Sequence, residues 1–311
     1  MDYYRYGVNE NPYQPKAIGI GDTSRFDPVH PMDGSTLESS LSSAIAEGGG
    51  ARYVITGTSG SGRTAVASYI VSLYDSLWSR TSQRSGRVAH YARQHDGNVN
   101  GRQVARDVLK GLAGEVKRLD ANLLEGPFKR LRDEVRELPA DYSVQDLQSI
   151  AQDFSIEVHS LSASFTCVVE NVPNLEVFRA VQDLLTKSKG LLVCTLVAEQ
   201  REAILGMLKN QDIGEEIMLA NLADDGTWLL TKGRWNRSSA APPIPFDPDG
   251  LKNAFHDNPR TVGKLLETLA FMINSKLANY SGQGIHPTDA ALRFDERQIR
   301  ELIKLYDQVI K

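Results

Sequence analysis

A short run of glycines and small polar residues has the spacing Gly57-x-x-x-x-Gly62, followed directly by Arg63 and Thr64. Glycine adopts positive φ at little cost and lets the backbone come close to a ligand. The N–H groups of such a loop, together with the positive end of a following helix, bind phosphate. The spacing therefore predicts a phosphate-binding loop.

We expect the whole loop and the start of the next element to hold phosphates, with Thr64 as the hydroxyl that binds magnesium. The residues concerned are Gly57, Thr58, Ser59, Gly60, Ser61, Gly62, Arg63, Thr64 and Ala65. A lysine normally follows the last glycine, and Arg63 keeps its charge on a longer, planar and forked side chain. Phosphate binding tolerates this exchange better than the close geometry of phosphoryl transfer does. The alternative is a Gly/Ser-rich surface turn.

A second group of polar residues follows the apolar run 164–169, which ends in Glu170 and Asn171. A hydrolytic site needs two carboxylates here, one for magnesium and one to polarise the attacking water. Glu170 suits the first task with a side chain one methylene longer than Asp. Asn171 cannot act as a base, although it can position a water. The alternative for Glu170 is an ordinary carboxylate at a strand end.

Two further residues are candidates for contact with the γ-phosphate. Thr195 lies on the next apolar run, where its hydroxyl would face the phosphate or the water. Arg260, in Asn258-Pro-Arg-Thr, stands at the start of a later helical pattern and would reach across a cleft. The alternative for Thr195 is an ordinary strand residue, because Thr favours strands. The alternative for Arg260 is a solvated surface residue, as Arg normally is.

These residues need a scaffold of buried strands and covering helices. Continuous apolar, β-branched runs are typical of parallel strands buried on both faces, and strands that alternate with helices indicate right-handed crossovers. The predicted strands are 53–55, 87–93, 164–169 and 190–197. The predicted helices are 35–47, one from 63 or 64, several within 102–154, 175–185, 199–209, 222–235, 249–254, 259–278 and 295–310. The pattern predicts a three-layer α/β domain followed by a small all-helical subdomain.

The predicted division has an N-terminal arm (1–34), a nucleotide-binding sheet domain (35–221), and a helical lid subdomain with a C-terminal helix (222–311). The arm is rich in Pro, Gly and Tyr. Its tyrosines either cover part of the core or approach the nucleotide base, and packing is the more common role of such aromatics.

Composition narrows the class of protein. The chain has 311 residues and a formal net charge of −4, so nothing indicates a generalised nucleic-acid-binding polycation. Its two cysteines, Cys167 and Cys194, lie inside apolar runs and are expected to be buried and unpaired. We find no secretory signal and no membrane span, and expect a cytoplasmic protein.

In the order of its motifs the chain resembles AAA+ ATPases of the origin-recognition type, including bacterial secretion and transposition relatives. The segment 6–13 is similar to their "YGF-x-x-NPF" start, and 57–64 is similar to their Walker A loop. The segment 168–175 looks like their Walker B, and 219–230 resembles the approach to their lid. Asn258-Pro-Arg260 is similar to the lid motif that carries the sensor 2 arginine.

The resemblance implies ATP or ADP with Mg²⁺, held by the loop, Thr64 and Glu170. It places Asn171 at the catalytic glutamate, Thr195 at sensor 1 and Arg260 at sensor 2. The chain departs from the family at Arg63, Glu170 and Asn171, which are all hydrolytic positions. Arg201, just after the sensor 1 strand, is a candidate for an arginine finger.

Three functions stay open at this point. The first is a nucleotide-dependent assembly or regulatory switch with weak or absent hydrolysis, which acts through protein partners or as a homo-oligomer. The second is an active ATPase that assembles on DNA or on a protein. The third is a non-enzymatic interaction domain with a vestigial pocket. The sequence leaves open whether the protein is an enzyme.

Overall fold

The structure is a computed structural model. It describes residues 2–14, 34–48, 50–81, 87–94, 99–119, 127–137, 142–160, 163–185, 188–197, 199, 201–202, 215–238, 243–283 and 289–310. The strands are β1 (Ala51–Gly57), β2 (Arg87–Gln94), β3 (Ala163–Glu170), β4 (Leu191–Val197) and β5 (Glu215–Leu219). The α-helices are α1 (Gly34–Ala46), α2 (Arg63–Thr81), α3 (Gly101–Leu119), α4 (Pro127–Glu137), α5 (Val144–Ser160), α6 (Leu175–Leu185), α7 (Asp224–Ser238), α8 (Pro248–His256), α9 (Val262–Ala278) and α10 (Glu296–Val309).

The strands form one parallel sheet in the order β2-β3-β4-β1-β5. β1 lies inside the sheet, and Gly57 at its end pairs with Val197 of β4 and Leu219 of β5. Because parallel strands end at the same edge, Glu170 at the end of β3 lies on the edge that Gly57 occupies. This edge therefore collects the predicted phosphate loop and the predicted carboxylate.

Helices cover both faces of the sheet, as the three-layer prediction requires. Helices α1 and α2 pack on one face through a cluster that includes Leu41, Ile70 and Ile55 of β1. Helices α3, α5 and α6 pack on the other through a cluster that includes Val108 and Phe154. The predicted fold class, an α/β parallel sheet with a helical part after it, is confirmed.

Strand β5 is the element that the sequence patterns do not predict. It has five residues, lies at the edge of the sheet, and leaves Met218 56% exposed. Two glutamates, Glu215 and Glu216, interrupt any apolar run. A short edge strand with a solvent-exposed face lacks the continuous apolar run that predicts a buried strand.

The helix expected over 259–278 begins at Val262, so its predicted start is three residues too early. Thr261 caps the helix, and its Oγ1 accepts a 3.4 Å hydrogen bond from the N–H of Lys264. Helix α10 begins at Glu296, one residue after its predicted start at Asp295, which instead caps the helix in a capping box with Gln298. Most of the helix expected over 199–209 lies outside the described residues.

The described part of the N-terminal arm packs into the core of the helical subdomain. Tyr6 and Tyr13 are both 0% exposed and lie against Trp235, with ring centroids 5.9 and 6.1 Å away. Their hydroxyls donate to the carbonyls of Leu292 at 2.9 Å and Thr231 at 3.3 Å. Residues 15–33 of the arm lie outside the described residues, and the predicted domain boundaries stay a prediction.

Both cysteines are buried and free. None of the helices in the described ranges is both long and apolar enough to cross a membrane.

Candidate phosphate-binding site

The Gly57–Gly62 loop connects the end of β1 to the start of α2. Gly60 and Gly62 have φ of 76° and 94°, in the region that favours glycine. A Cβ placed on Gly57 would lie 2.5 Å from Oγ of Ser61 and 3.0 Å from the carbonyl oxygen of Leu219, so the loop closes tightly there. The loop thus has the conformation that its glycine spacing predicts, with a 19-residue helix behind it.

Arg63 and Thr64 occupy the first turn of α2. Nη1 of Arg63 is buried and has no hydrogen-bond partner in the part of the chain that the structure describes. Burial lowers the pKa of the Arg63 guanidinium, and the carboxylate of Glu199 acts in the opposite direction. Thr64 is exposed, and its Oγ1 donates to Oε2 of Glu170 at 3.4 Å. An unpartnered cationic nitrogen in the first turn of the helix, and a hydroxyl bonded to a carboxylate one residue later, are groups that suit a magnesium-bound phosphate.

The turn after β3 is held by Thr195 of β4. Oγ1 of Thr195 accepts a 2.8 Å hydrogen bond from the N–H of Asn171, and its carbonyl accepts one of 2.9 Å from the N–H of Val172. Asn171 has a φ of 49°, a left-handed conformation that Asn tolerates better than most residues. Thr195 is 1% exposed, so in this structure its hydroxyl supports the turn at Asn171.

The side chain of Arg201 forms an ion pair within its own chain. Its Nε and Nη2 donate to the two carboxylate oxygens of Glu216 on β5, at 2.7 and 3.1 Å. Thr56 of β1 donates to the same Glu216 at 2.8 Å. Glu216 was not predicted as part of the site, because strand β5 was not predicted either.

The start of α9 touches the loop directly. The N–H of Gly263 donates to the carbonyl of Gly60 at 2.8 Å. A Cβ on Gly263 would lie 3.1 Å from that carbonyl oxygen, and a Cβ on Gly60 would lie 3.1 Å from Oγ1 of Thr261. The sequence patterns do not predict this contact. Its local signal is Gly263, because a glycine inside a helical pattern can have a packing reason.

Arg260 lies next to this contact, but its side chain is directed to the last helix. It is 7% exposed, and its Nη2 donates to Oδ2 of Asp307 at 2.7 Å. A cavity of about 490 Å³ opens there, lined in part by Asn221, Lys264 and Ile310. The structure thus brings the loop, Glu170, Asn171 and Thr195 together at the sheet edge, whereas the Arg260 guanidinium pairs with α10.

Within the described ranges, no group of three or more His, Cys, Asp or Glu side chains is placed to hold a metal ion by itself. Magnesium at this loop would instead take Thr64 and Glu170 together with phosphate oxygens, since Mg²⁺ in such sites is bound by few protein groups.

No family model matches the sequence, and no curated protein matches it. Among solved structures, the ORC2 protein of Aeropyrum pernix, in ADPNP–ADP complexes, matches with a TM-score of 0.54 and 10% identity, over 91% of this chain and 71% of that chain. The A. pernix ORC1 protein in complex with DNA matches with a TM-score of 0.49 and 14% identity, over 92% and 68%. Domain III of the Thermotoga maritima replication initiation protein DnaA matches with a TM-score of 0.46 and 11% identity, over 93% and 98%.

The chain has the fold of the A. pernix ORC2 protein, in agreement with the resemblance that the order of its motifs indicates. The likeness extends over both the sheet and the helical subdomain, since it covers 91% of the chain. At 10% identity it concerns the fold alone.

Proposed function

We propose that this protein binds ATP or ADP with Mg²⁺ at the Gly57–Thr64 loop and acts as a nucleotide-dependent assembly or regulatory switch with weak or absent hydrolysis. The observation that carries the proposal is the loop itself. It leads from an inner strand into a long helix, with positive φ at Gly60 and Gly62 and a buried, unpartnered nitrogen on Arg63. The ORC2 protein that shares the fold was solved in ADPNP–ADP complexes, which supports the same ligand class here.

Weak hydrolysis is proposed from the residues at the end of β3. Asn171 has no group that can accept a proton from water at neutral pH. Glu170 is the carboxylate near Thr64, and it would be committed to magnesium. With Arg63 in place of a lysine, the loop retains charge for holding phosphates and loses the compact ammonium that usually faces the transferred group.

A switch needs an element that responds to the ligand. The contact between Gly263 of α9 and Gly60 of the loop joins the helical subdomain to the place where phosphates would bind. A ligand that favours one arrangement of this contact would shift the population of subdomain positions, and protein partners or further copies of the chain would recognise the result.

Nucleotide binding is tested by thermal unfolding with and without ATP and magnesium. At a ligand concentration about 100 times Kd, we expect the melting temperature to rise by roughly 5 °C, since the folded state alone binds. Arg63→Ala should abolish most of the rise. Arg80→Ala is the matched control, because Arg80 lies on the same helix with its side chain 71% exposed.

If the wild type shows no rise with either ATP or ADP, the protein is an interaction domain with a vestigial pocket and the proposal is wrong. An equal loss of the rise in Arg63→Ala and Arg80→Ala would place the nucleotide elsewhere on the protein.

A further inference from the structure

The side chain of Arg260 is locked onto the last helix. Its Nη2 donates to Asp307 at 2.7 Å, and its guanidinium carbon lies 5.6 Å from the centre of the Tyr306 ring. Tyr306 in turn donates to Glu267 of α9 at 2.8 Å. Two adjacent residues of α10 therefore connect it to the neighbourhood of α9: Asp307 pairs with Arg260, just before α9, and Tyr306 bonds to Glu267 within α9.

The backbone around Arg260 contacts the segment after β5 and the phosphate loop. Its carbonyl accepts a 2.9 Å hydrogen bond from the N–H of Leu222, just after β5. Three residues further on, Gly263 donates to the carbonyl of Gly60. Arg260 thus lies three residues from the contact with the loop, while its side chain is paired with α10.

The donors of Arg260 are only partly satisfied in the pair with Asp307. Its side chain is 6% exposed, and its Nε is buried without a hydrogen-bond partner among the described residues. The cavity beside it is also lined by Lys264 and by Thr261, the cap of α9. Among the described residues that line this cavity, Arg260 and Lys264 are cations and Asp307 is the one carboxylate. The positive end of the 17-residue helix α9 lies beside them, so an added phosphate would find unused donors.

We propose that Asp307 and the terminal phosphate of a bound nucleoside triphosphate compete for Arg260, so that helix α10 reports which nucleotide is bound. The proposal rests on the proposed nucleotide site. With ADP, or with no nucleotide, Arg260 stays on Asp307 and α10 remains docked. With a triphosphate, Arg260 leaves Asp307, and α10 loses the ion pair that attaches it to the start of α9.

The test measures dissociation constants for ADP and for an ATP analogue whose β–γ bridge cannot be hydrolysed. Asp307→Asn removes the competing charge and keeps the shape. We expect it to tighten the triphosphate analogue on the order of tenfold and to leave ADP unchanged. Glu301→Gln is the control, since Glu301 lies on the same helix and pairs only with exposed Arg297 in the described structure. In an Arg260→Gln background, Asp307→Asn should have no effect on either ligand.

Hydrogen exchange supplies a second readout. We expect amides of residues 299–309 to exchange faster with the triphosphate analogue than with ADP, and Asp307→Asn to remove that difference.

The proposal is overturned if Asp307→Asn changes both affinities equally, weakens the analogue, or acts equally in the Arg260→Gln background. In those outcomes the nucleotide still binds, so the proposed function stands while the competition is rejected. Failure of the wild type to bind either nucleotide would reject both.

Discussion

At the end of β3, the side chain of Asn171 stands where a hydrolytic site would require a carboxylate. Its backbone is held at a φ of 49° by a hydrogen bond to Thr195. The turn is therefore well defined although its side chain cannot act as a base. The nearby Glu170 is 3.4 Å from the hydroxyl of Thr64, and in the proposed site it would bind magnesium.

Asn171→Glu should raise phosphate release from ATP by roughly tenfold or more, because a positioned general base commonly contributes factors of 10² to 10⁴. The gain would be limited by the left-handed backbone, which Glu adopts less readily than Asn. The measurement is steady-state phosphate release with magnesium. Asn171→Ala is the control and should not raise the rate.

If wild-type turnover already reaches the value of an ordinary enzyme, on the order of 10 s⁻¹, Asn171 does not impair hydrolysis and the switch proposal is wrong.

Among the elements, α3 packs against the sheet at a distance set by glycine. Gly111 of α3 faces the ring of Tyr91 on β2, and a Cβ at this position would overlap that ring. Three residues later, Gly114 is exposed, and a Cβ there would meet no heavy atom within 4 Å. A side chain is therefore excluded at Gly111 by the packing on β2, whereas Gly114 has room for one.

Gly111→Ala should lower the free energy of unfolding by about 1–3 kcal/mol, because Tyr91 or the helix must move. Gly114→Ala should raise it by about 0.5–1 kcal/mol, since alanine is the better helix former and the site is open. Denaturant unfolding of both variants checks the pair. A shift of the same sign in both would show that α3 does not approach β2 as described.

In the molecule as a whole, the N-terminal arm and the helical subdomain share one core, although Tyr13 and its hydrogen-bond partner Thr231 are 218 positions apart. Tyr13 also stacks on Trp235 and meets the edge of Phe246, with ring centroids 5.9 Å apart. Asn11 adds hydrogen bonds of 3.1 Å to the carbonyl of Ala270 and to the side chain of Asn274. Residues 6–13 therefore complete the hydrophobic core of the helical subdomain.

Tyr13→Ala should destabilise the helical subdomain by about 3–5 kcal/mol, the usual cost of removing a buried aromatic side chain. Tyr13→Phe should cost only about 0.5–1.5 kcal/mol, since it removes one hydrogen bond and keeps the packing. The fluorescence of the three tryptophans during denaturant unfolding reports the transition. Equal and small effects of both substitutions would mean that the arm contributes little to this core.

Much of the sheet domain could be predicted from local patterns. The apolar runs at 164–169 and 190–197 predicted β3 and β4, and the helix predicted over 175–185 matches α6 in its bounds. Runs and periodicities of this kind record burial along one element, so they are visible without the rest of the molecule. The glycine loop was predictable for the same reason, since its spacing encodes its own backbone conformation.

The remaining features depend on pairs of residues far apart in the chain, so they are visible only once the chain is folded. Arg260 and Asp307 are 47 positions apart, and neither shows from its neighbours whether it is solvated, bound to phosphate or paired. Strand β5 exists because β1 offers it a free edge, and Glu216 meets Arg201 only once that strand is in place. The glycine loop and the buried strands could be predicted from the sequence, because their signals are local. Which charged side chains face that loop, and which are held away from it, was decided by long-range packing.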